Sequence, residues 1–120
     1  MYIKEISLEN FRNYEKQKIK LNENINIIFG NNAQGKTNII ESIFLCAYGK
    51  SFRAKKDSEL IKFDENTAKV EVLYKKTDRE GKILADIKDK KTFYINDVKQ
   101  NKIIDIIGKI IVSIINQHDI

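Results

Sequence analysis

The residues best suited to chemistry form one short segment, GNNAQGKT, at positions 30–37. The segment fits the pattern G-x-x-x-x-G-K-[ST], whose glycines let successive backbone N–H groups turn toward phosphate oxygens. The lysine of this pattern can reach the terminal phosphates, and the hydroxyl after it can coordinate Mg²⁺. The sequence therefore predicts a phosphate-binding loop for a nucleotide, made of Gly30, Asn31, Asn32, Ala33, Gln34, Gly35, Lys36 and Thr37.

The segments on either side of this loop are those that phosphate binding requires. Residues 25–29 form a nearly continuous apolar run, typical of an interior strand that is covered on both faces. Residues 37–48 carry apolar side chains at helical spacing, and Gly49 follows as a suitable end. A helix that begins near Lys36 would add unpaired N–H groups and the positive end of its dipole. The alternative, a glycine-rich turn with a solvated lysine, does not explain this strand and helix.

The rest of the sequence predicts a mixed sheet. Alternating apolar and polar residues indicate strands over residues 2–9, 15–21, 68–74, 83–87 and 93–95. The predicted connections are residues 10–14, residues 79–81 and Asn96–Asp97. A helix over residues 100–107, ended by Gly108, and a buried strand over residues 110–115 complete the order. The pattern predicts an α/β fold with a mixed β-sheet and a phosphate-loop helix.

Composition limits the class of protein. The 120 residues are enough for one domain with a hydrophobic core, and 42% hydrophobic with 32% charged residues is a soluble, globular composition. The net charge of +5 favours a polyanionic partner without requiring one. No apolar run approaches the roughly 20 residues that cross a bilayer, and the start lacks a signal peptide's apolar core. With the lone Cys46, expected to be buried, these features predict a cytoplasmic protein without a membrane partner.

Three segments carry a resemblance to a known family. LENFRNYEK ahead of INIIFGNNAQGKTNIIESIFL closely resembles the amino-terminal start of the RecF family, which is related to the Rad50 and SMC ATPases. YGKSFRAKKDSELIKF and YINDVKQNKIIDIIGKIIVSI are also similar to that family, and the similarity weakens over residues 64–92. The resemblance implies a P-loop NTPase fold like an ABC-ATPase head. Residues 1–120 are then expected to be the amino-terminal portion of such a head, a single truncated domain.

The resemblance also implies ligand contacts beyond the loop. In the family a segment beginning Phe-Arg lies against the nucleotide, so Arg12 and Asn13 are expected to contact it, together with Asn38. Thr37 is expected to bind Mg²⁺. Gln117 is similar to a glutamine that helps bind Mg²⁺ in Rad50 and SMC heads, although RecF proteins usually carry Ser/Thr-Pro-Glu there. A solvent-exposed glutamine is the alternative.

The densest basic cluster follows the predicted helix and consists of Lys50, Arg53, Lys55 and Lys56. In SMC-like heads a matching arginine after the phosphate-loop helix senses DNA. The resemblance therefore implies that this cluster contacts the DNA backbone. A solvated loop is the alternative, since runs of charge are usually that.

The resemblance implies a protein of recombinational DNA repair and replication, active in the SOS response to DNA damage. Its cofactors would be ATP and Mg²⁺. Its family binds gapped duplexes or single-strand/double-strand junctions, dimerises around ATP, and works with RecO and RecR to load RecA. The chain contains neither an apolar strand ending in Asp-Glu nor a signature motif, so it is expected to bind ATP without efficient turnover. Any hydrolysis would be that of a weak ABC-type ATPase acting as a full-length dimer.

Other functions stay open at this point. The chain could be another SMC-like or Rad50-like head, including an anti-phage ATPase, and the ending INQHDI keeps this alternative open. A nucleotide kinase or small GTPase predicts a base-selective motif or a series of lid arginines, and neither is visible. A third alternative is a DNA-binding module that no longer hydrolyses nucleotide.

Overall fold

The computed structural model describes residues 2–21 and 33–102. Its elements are β1 (Tyr2–Phe11), β2 (Tyr14–Lys20), α1 (Ala33–Tyr48), a short 3₁₀ helix (Asp57–Leu60), β3 (Ala68–Lys76), β4 (Arg79–Ile87), β5 (Lys91–Ile95) and β6 (Val98–Gln100). The described strands form one sheet in the order β2-β1-β3-β4-β5-β6, and every neighbouring pair is antiparallel. The strands predicted over residues 25–29 and 110–115 lie outside the described residues.

The core lies on one face of this sheet, because alternate residues of each strand point the same way. Ile6 of β1 is opposite Val72 of β3, and Val72 is opposite Ile83 of β4. All three are fully buried, and Ile95 of β5 continues the row next to Ile83. Helix α1 contacts β3 and β4, and its Cys46 is buried in the same core, as predicted. The alternation of apolar residues thus correctly predicted which face of the sheet is covered.

The turn predicted over residues 79–81 is wrong. Strand β4 begins at Arg79, which pairs with Lys76, so the turn consists of residues 77 and 78. Thr77 adopts the positive φ of 54° that this turn requires. Gly81 instead lies opposite Tyr74 in the ladder, and a Cβ at Gly81 would collide with the Tyr74 ring. The glycine therefore makes room for a buried aromatic side chain and does not form the turn.

Replacing Gly81 by alanine is expected to lower the free energy of unfolding by about 1–3 kcal/mol, because an added methyl group overpacks a filled site. Urea unfolding of the wild type and the variant measures this loss. In a Tyr74→Leu background the same substitution should cost much less, because leucine lacks the ring atoms that collide. An equal cost in both backgrounds would mean that Tyr74 is not the reason for the glycine.

Two further predictions concern the ends of the strands. Asn96 and Asp97 do form the turn after β5, with φ of 51° and 70°. Positive φ at both positions defines a type I′ hairpin, and β6 follows at once. The helix predicted over residues 100–107 is wrong at its first three residues, since Gln100 ends β6 and residues 101–102 are not helical. Residues 103–107 lie outside the described part of the chain.

Candidate functional site

The predicted phosphate loop leads into α1. The helix begins at Ala33, earlier than the start expected near Lys36, so the second half of the motif is helical. Alanine and glutamine are good helix formers, which accounts for the earlier start. Of Ala33, Gln34, Gly35 and Lys36 only the helical backbone is described, and Gly30, Asn31, Asn32 and Gln117 lie outside the described residues.

The connection between β1 and β2 forms a hairpin tip, which consists of Arg12 and Asn13. Arg12 has a positive φ of 55°, and its backbone N–H donates to the Leu60 carbonyl at 2.9 Å. The Asn10 carbonyl accepts from the Lys62 N–H at 2.8 Å on the same side. The hairpin tip is therefore attached to the 3₁₀ helix and the residues after it. These contacts fix the backbone from which the side chains of Arg12 and Asn13 extend.

A side-chain hydrogen bond joins the hairpin tip to the start of α1. The Asn38 amide Nδ2 donates to the Asn13 Oδ1 at 2.7 Å, and Asn38 is buried. Asn38 directly follows Thr37, the last residue of the phosphate-loop pattern. The structure thus brings Asn13 beside the end of the motif, and the family resemblance implies a nucleotide contact for this residue.

A buried carboxylate organises this region. Arg12 donates to Glu41 in a bidentate manner, from Nε to Oε1 and from Nη2 to Oε2, both at 2.8 Å. Arg53 Nη2 donates to Oε1 at 3.0 Å, and the Ser51 hydroxyl donates to Oε2 at 2.5 Å. Glu41 is fully buried, so charge-assisted bonds of this kind are what permits its burial. We call this group the Glu41 cluster; it consists of Arg12, Asn13, Asn38, Glu41, Ser51 and Arg53.

Arg53 and Ser51 attach the segment after α1 to the helix. Arg53 Nη2 also donates to the Asn38 Oδ1, so one nitrogen binds two residues of α1. The Ser51 hydroxyl oxygen accepts from the backbone N–H groups of Arg53 and Ala54 at 3.0 and 2.9 Å. The bend after α1 is therefore fixed by the same cluster that holds the hairpin tip.

The charged groups of the cluster stabilise one another's ionised forms. Burial alone would raise the pKa of Glu41, but hydrogen bonds from Arg12, Arg53 and Ser51 outweigh it, and the pKa of Glu41 is lowered. The hydrogen bond to Glu41 raises the pKa of Arg12 in turn. Glu41 is thus ionised at neutral pH, and its charge is balanced by two cations.

This lowered pKa predicts a pH dependence of stability. A carboxylate whose pKa falls on folding contributes stability above its unfolded pKa, about 4.3 for glutamate, and loses it as the pH falls through the folded pKa. The stability difference between the wild type and Glu41→Gln should therefore be largest at neutral pH and should shrink below about pH 4. Urea unfolding of both proteins across this range measures it.

The control for the pH series is Glu15→Gln, since Glu15 is exposed on β2 and lies outside the cluster. Its stability should follow that of the wild type at every pH. A difference between wild type and Glu41→Gln that stays constant down to pH 3 would contradict ionisation of Glu41 as the source of the stability.

The basic cluster predicted to contact DNA is divided by the structure. Lys50, Lys55 and Lys56 are exposed, whereas the Arg53 side chain is 27% exposed and binds Glu41 and Asn38. The backbone N–H groups of Lys55 and Lys56 donate to the Glu59 carboxylate at 2.9 and 2.8 Å. The exposed side chains of the three lysines are available to a ligand, and a DNA role for Arg53 stays a prediction.

The sequence analysis did not identify Glu41 or Ser51 as functional candidates. A signal for Glu41 was present, because it lies between Ile40 and Ile43 on the helix and three residues after Asn38. A glutamate on the apolar side of a helix is almost never buried without a partner. Its partners could not be read from the sequence, because Arg12 is 29 residues away along the chain.

The fold and the phosphate-loop motif in the sequence indicate a class, the phosphate-loop NTPases whose heads contain a mixed β-sheet. The chain belongs to the AAA domain family, which it matches over residues 5–120. Over its full length it is 43% identical to the DNA replication and repair protein RecF of Clostridium beijerinckii and 44% identical to that of Clostridium acetobutylicum. It spans about a third of the length of these relatives, 33% and 34%.

Solved structures agree with this similarity. A structure of the recombination mediator protein RecF-ATP in the RecFOR pathway has a TM-score of 0.84 at 42% identity, over 92% of this chain and 31% of that one. An SMC head bound to the C-winged helix domain of ScpA has a TM-score of 0.76 at 23% identity, over 89% of this chain and 39% of that one, and shows the fold alone. The resemblance to the RecF family and the predicted fold class are thereby confirmed.

None of the helices in the described part of the chain combines the length and the apolar character that crossing a membrane requires.

Proposed function

We propose that this protein binds ATP and DNA and acts in recombinational DNA repair and replication. The observation that carries the proposal is the hydrogen bond from Asn38 to Asn13, which brings the hairpin tip against the end of the phosphate-loop motif. This is the arrangement that the RecF resemblance implied for a nucleotide site. The similarity to a structure of RecF-ATP supports ATP as the nucleotide.

The described residues fit a nucleotide phosphate group. The backbone of α1 begins within the motif, and its first turn carries no acidic residue. Its unpaired N–H groups and positive dipole end suit an anion. The Arg12 side chain is 20% exposed, so part of a cation beside this region is accessible. In the proposed site, residues 30–36 surround the phosphates and Lys36 reaches the terminal ones.

We assign the other contacts as follows. Thr37 supplies a hydroxyl to Mg²⁺, Arg12 and Asn13 lie against the nucleotide, and Asn38 supports the hairpin tip from the helix. Gln117 is proposed as a further Mg²⁺ contact. When bound, Mg²⁺ neutralises charge on the phosphate oxygens, which is its ordinary contribution to phosphoryl chemistry.

The same proposal includes the partners of the protein and its role in DNA repair. The protein would dimerise with ATP and act with RecO and RecR at gaps or single-strand/double-strand junctions to assist RecA loading. The RecFOR pathway named for the similar RecF structures supports this choice. Titration of the wild type and of Lys36→Ala with ATP–Mg²⁺ tests the nucleotide part, and salt-dependent DNA binding tests the other part.

For DNA, we expect the exposed lysines to contact the duplex backbone. Each phosphate contact contributes about −0.9 to the slope of log K against log salt. Replacing Lys50, Lys55 and Lys56 together by alanine should therefore flatten the slope by up to about 2.7, with no dependence on base sequence. The protein is titrated with a gapped duplex at several salt concentrations in the presence of ATP.

The control for DNA binding replaces three other exposed lysines, Lys20, Lys76 and Lys99. They lie on β2, β3 and β6, so this variant removes the same charge outside the segment after α1. Equal flattening by both triple variants would mean that the effect comes from net charge alone, and the proposed DNA surface would then be wrong.

A further inference from the structure

Glu41 holds Arg12 in a way that leaves half of its guanidinium group available. The bidentate contact uses Nε–H and one hydrogen of Nη2. A guanidinium has five N–H donors in one plane, so the hydrogens on the opposite edge remain directed away from Glu41. The side chain is 20% exposed, so part of it is accessible to a ligand. Carboxylates that bind one side of a functional group in this way fix its orientation toward a ligand.

Arg53 binds the same carboxylate, at the Oε1 atom. Its Nη2 donates both to Glu41 and to Asn38, and Asn38 in turn donates to Asn13 at the hairpin tip. The chain of contacts therefore runs from the segment after α1, through two helix residues, to both residues of the hairpin tip. Leu60 holds the backbone of Arg12, and Glu41 holds its guanidinium group.

We propose that Glu41 is the positioning residue of the nucleotide site: it orients Arg12 so that the free edge of the guanidinium faces the nucleotide phosphates. This inference rests on the proposed function. Glu41 acts through Arg12 and touches no ligand itself. The ligand recognised by the free edge is a nucleoside triphosphate, because planar N–H donors pair well with phosphate oxygens.

A positioning role predicts a specific pattern of ATP affinities. Arg12→Ala should weaken binding of ATP–Mg²⁺ by about 10-fold or more. Glu41→Gln should weaken it by about 10-fold, which is the lower end of the losses in affinity that follow removal of an orienting partner. The double variant should bind no more weakly than Arg12→Ala, because Glu41 has nothing left to orient. A residue that only stabilises the fold would not produce this non-additive result.

Affinities are measured with a fluorescent ATP analogue, at a temperature where circular dichroism shows each variant to be folded. Glu41→Asp is the second variant; it keeps the negative charge but shortens its reach, so affinity should be intermediate. Glu80→Gln is the control, since Glu80 pairs with Lys4 at the surface. Its affinity should equal that of the wild type.

Three outcomes separate the inference from the proposed function. If the wild type and Lys36→Ala bind the analogue equally, the proposed nucleotide site is wrong. If Lys36→Ala loses binding but both Glu41 variants keep wild-type affinity, the function stands and the positioning role of Glu41 is overturned. Additive losses in Arg12→Ala and Glu41→Gln also overturn it, because Glu41 would then act without Arg12.

Discussion

Replacing Glu41 by glutamine is expected to lower the free energy of unfolding by about 3 kcal/mol, which is the lower end of the cost of breaking a buried ion pair by removing one partner. The lower end applies because the side chains of Arg12 and Arg53 are 20% and 27% exposed, so water compensates for part of the loss. A glutamine would also direct an N–H donor at guanidinium donors. Urea unfolding at pH 7 measures the change.

The matched control is Glu80→Gln. Glu80 also forms an ion pair, with Lys4, but both side chains are largely exposed, at 59% and 41%. Exposed ion pairs contribute little to stability, so this variant should stay close to the wild type. Equal losses in the two glutamate variants would mean that burial of the Glu41 cluster adds nothing to stability.

Lys36→Ala is expected to remove the stabilisation of the protein by ATP–Mg²⁺. A ligand at 100 times its dissociation constant stabilises the folded state by about 2.7 kcal/mol when it binds only that state. Lys36 is proposed to make charge-assisted contacts with the terminal phosphates, which are the strong ones. Thermal unfolding with and without ATP–Mg²⁺ should show a shift for the wild type and none for the variant.

Lys90→Ala controls for the loss of one positive charge, because Lys90 is an exposed lysine in the turn between β4 and β5. It should keep the full thermal shift. If Lys36→Ala is stabilised by ATP as much as Lys90→Ala, the phosphate-loop motif is not where the nucleotide binds.

The sequence by itself determined the features that depend on neighbouring residues. The phosphate-loop motif is contiguous, so phosphate binding could be predicted at positions 30–37 without a structure. The covered face of the sheet was predicted because strand side chains alternate with a period of two. Val72 and Ile83 lie at apolar positions of this alternation, and the structure buries both side chains opposite one another.

Only the tertiary structure decided the pairing of the charged residues. The Glu41 carboxylate meets Arg12 across 29 residues of sequence and Arg53 across 12, and no local pattern specifies such a contact. The same holds for Gly81, which looks like a turn residue in the sequence and is required by the ring of Tyr74 on the adjacent strand. In both cases the cause is burial against a partner on another element: a buried charge needs its counter-ion and a buried ring needs space, and only the folded chain supplies either.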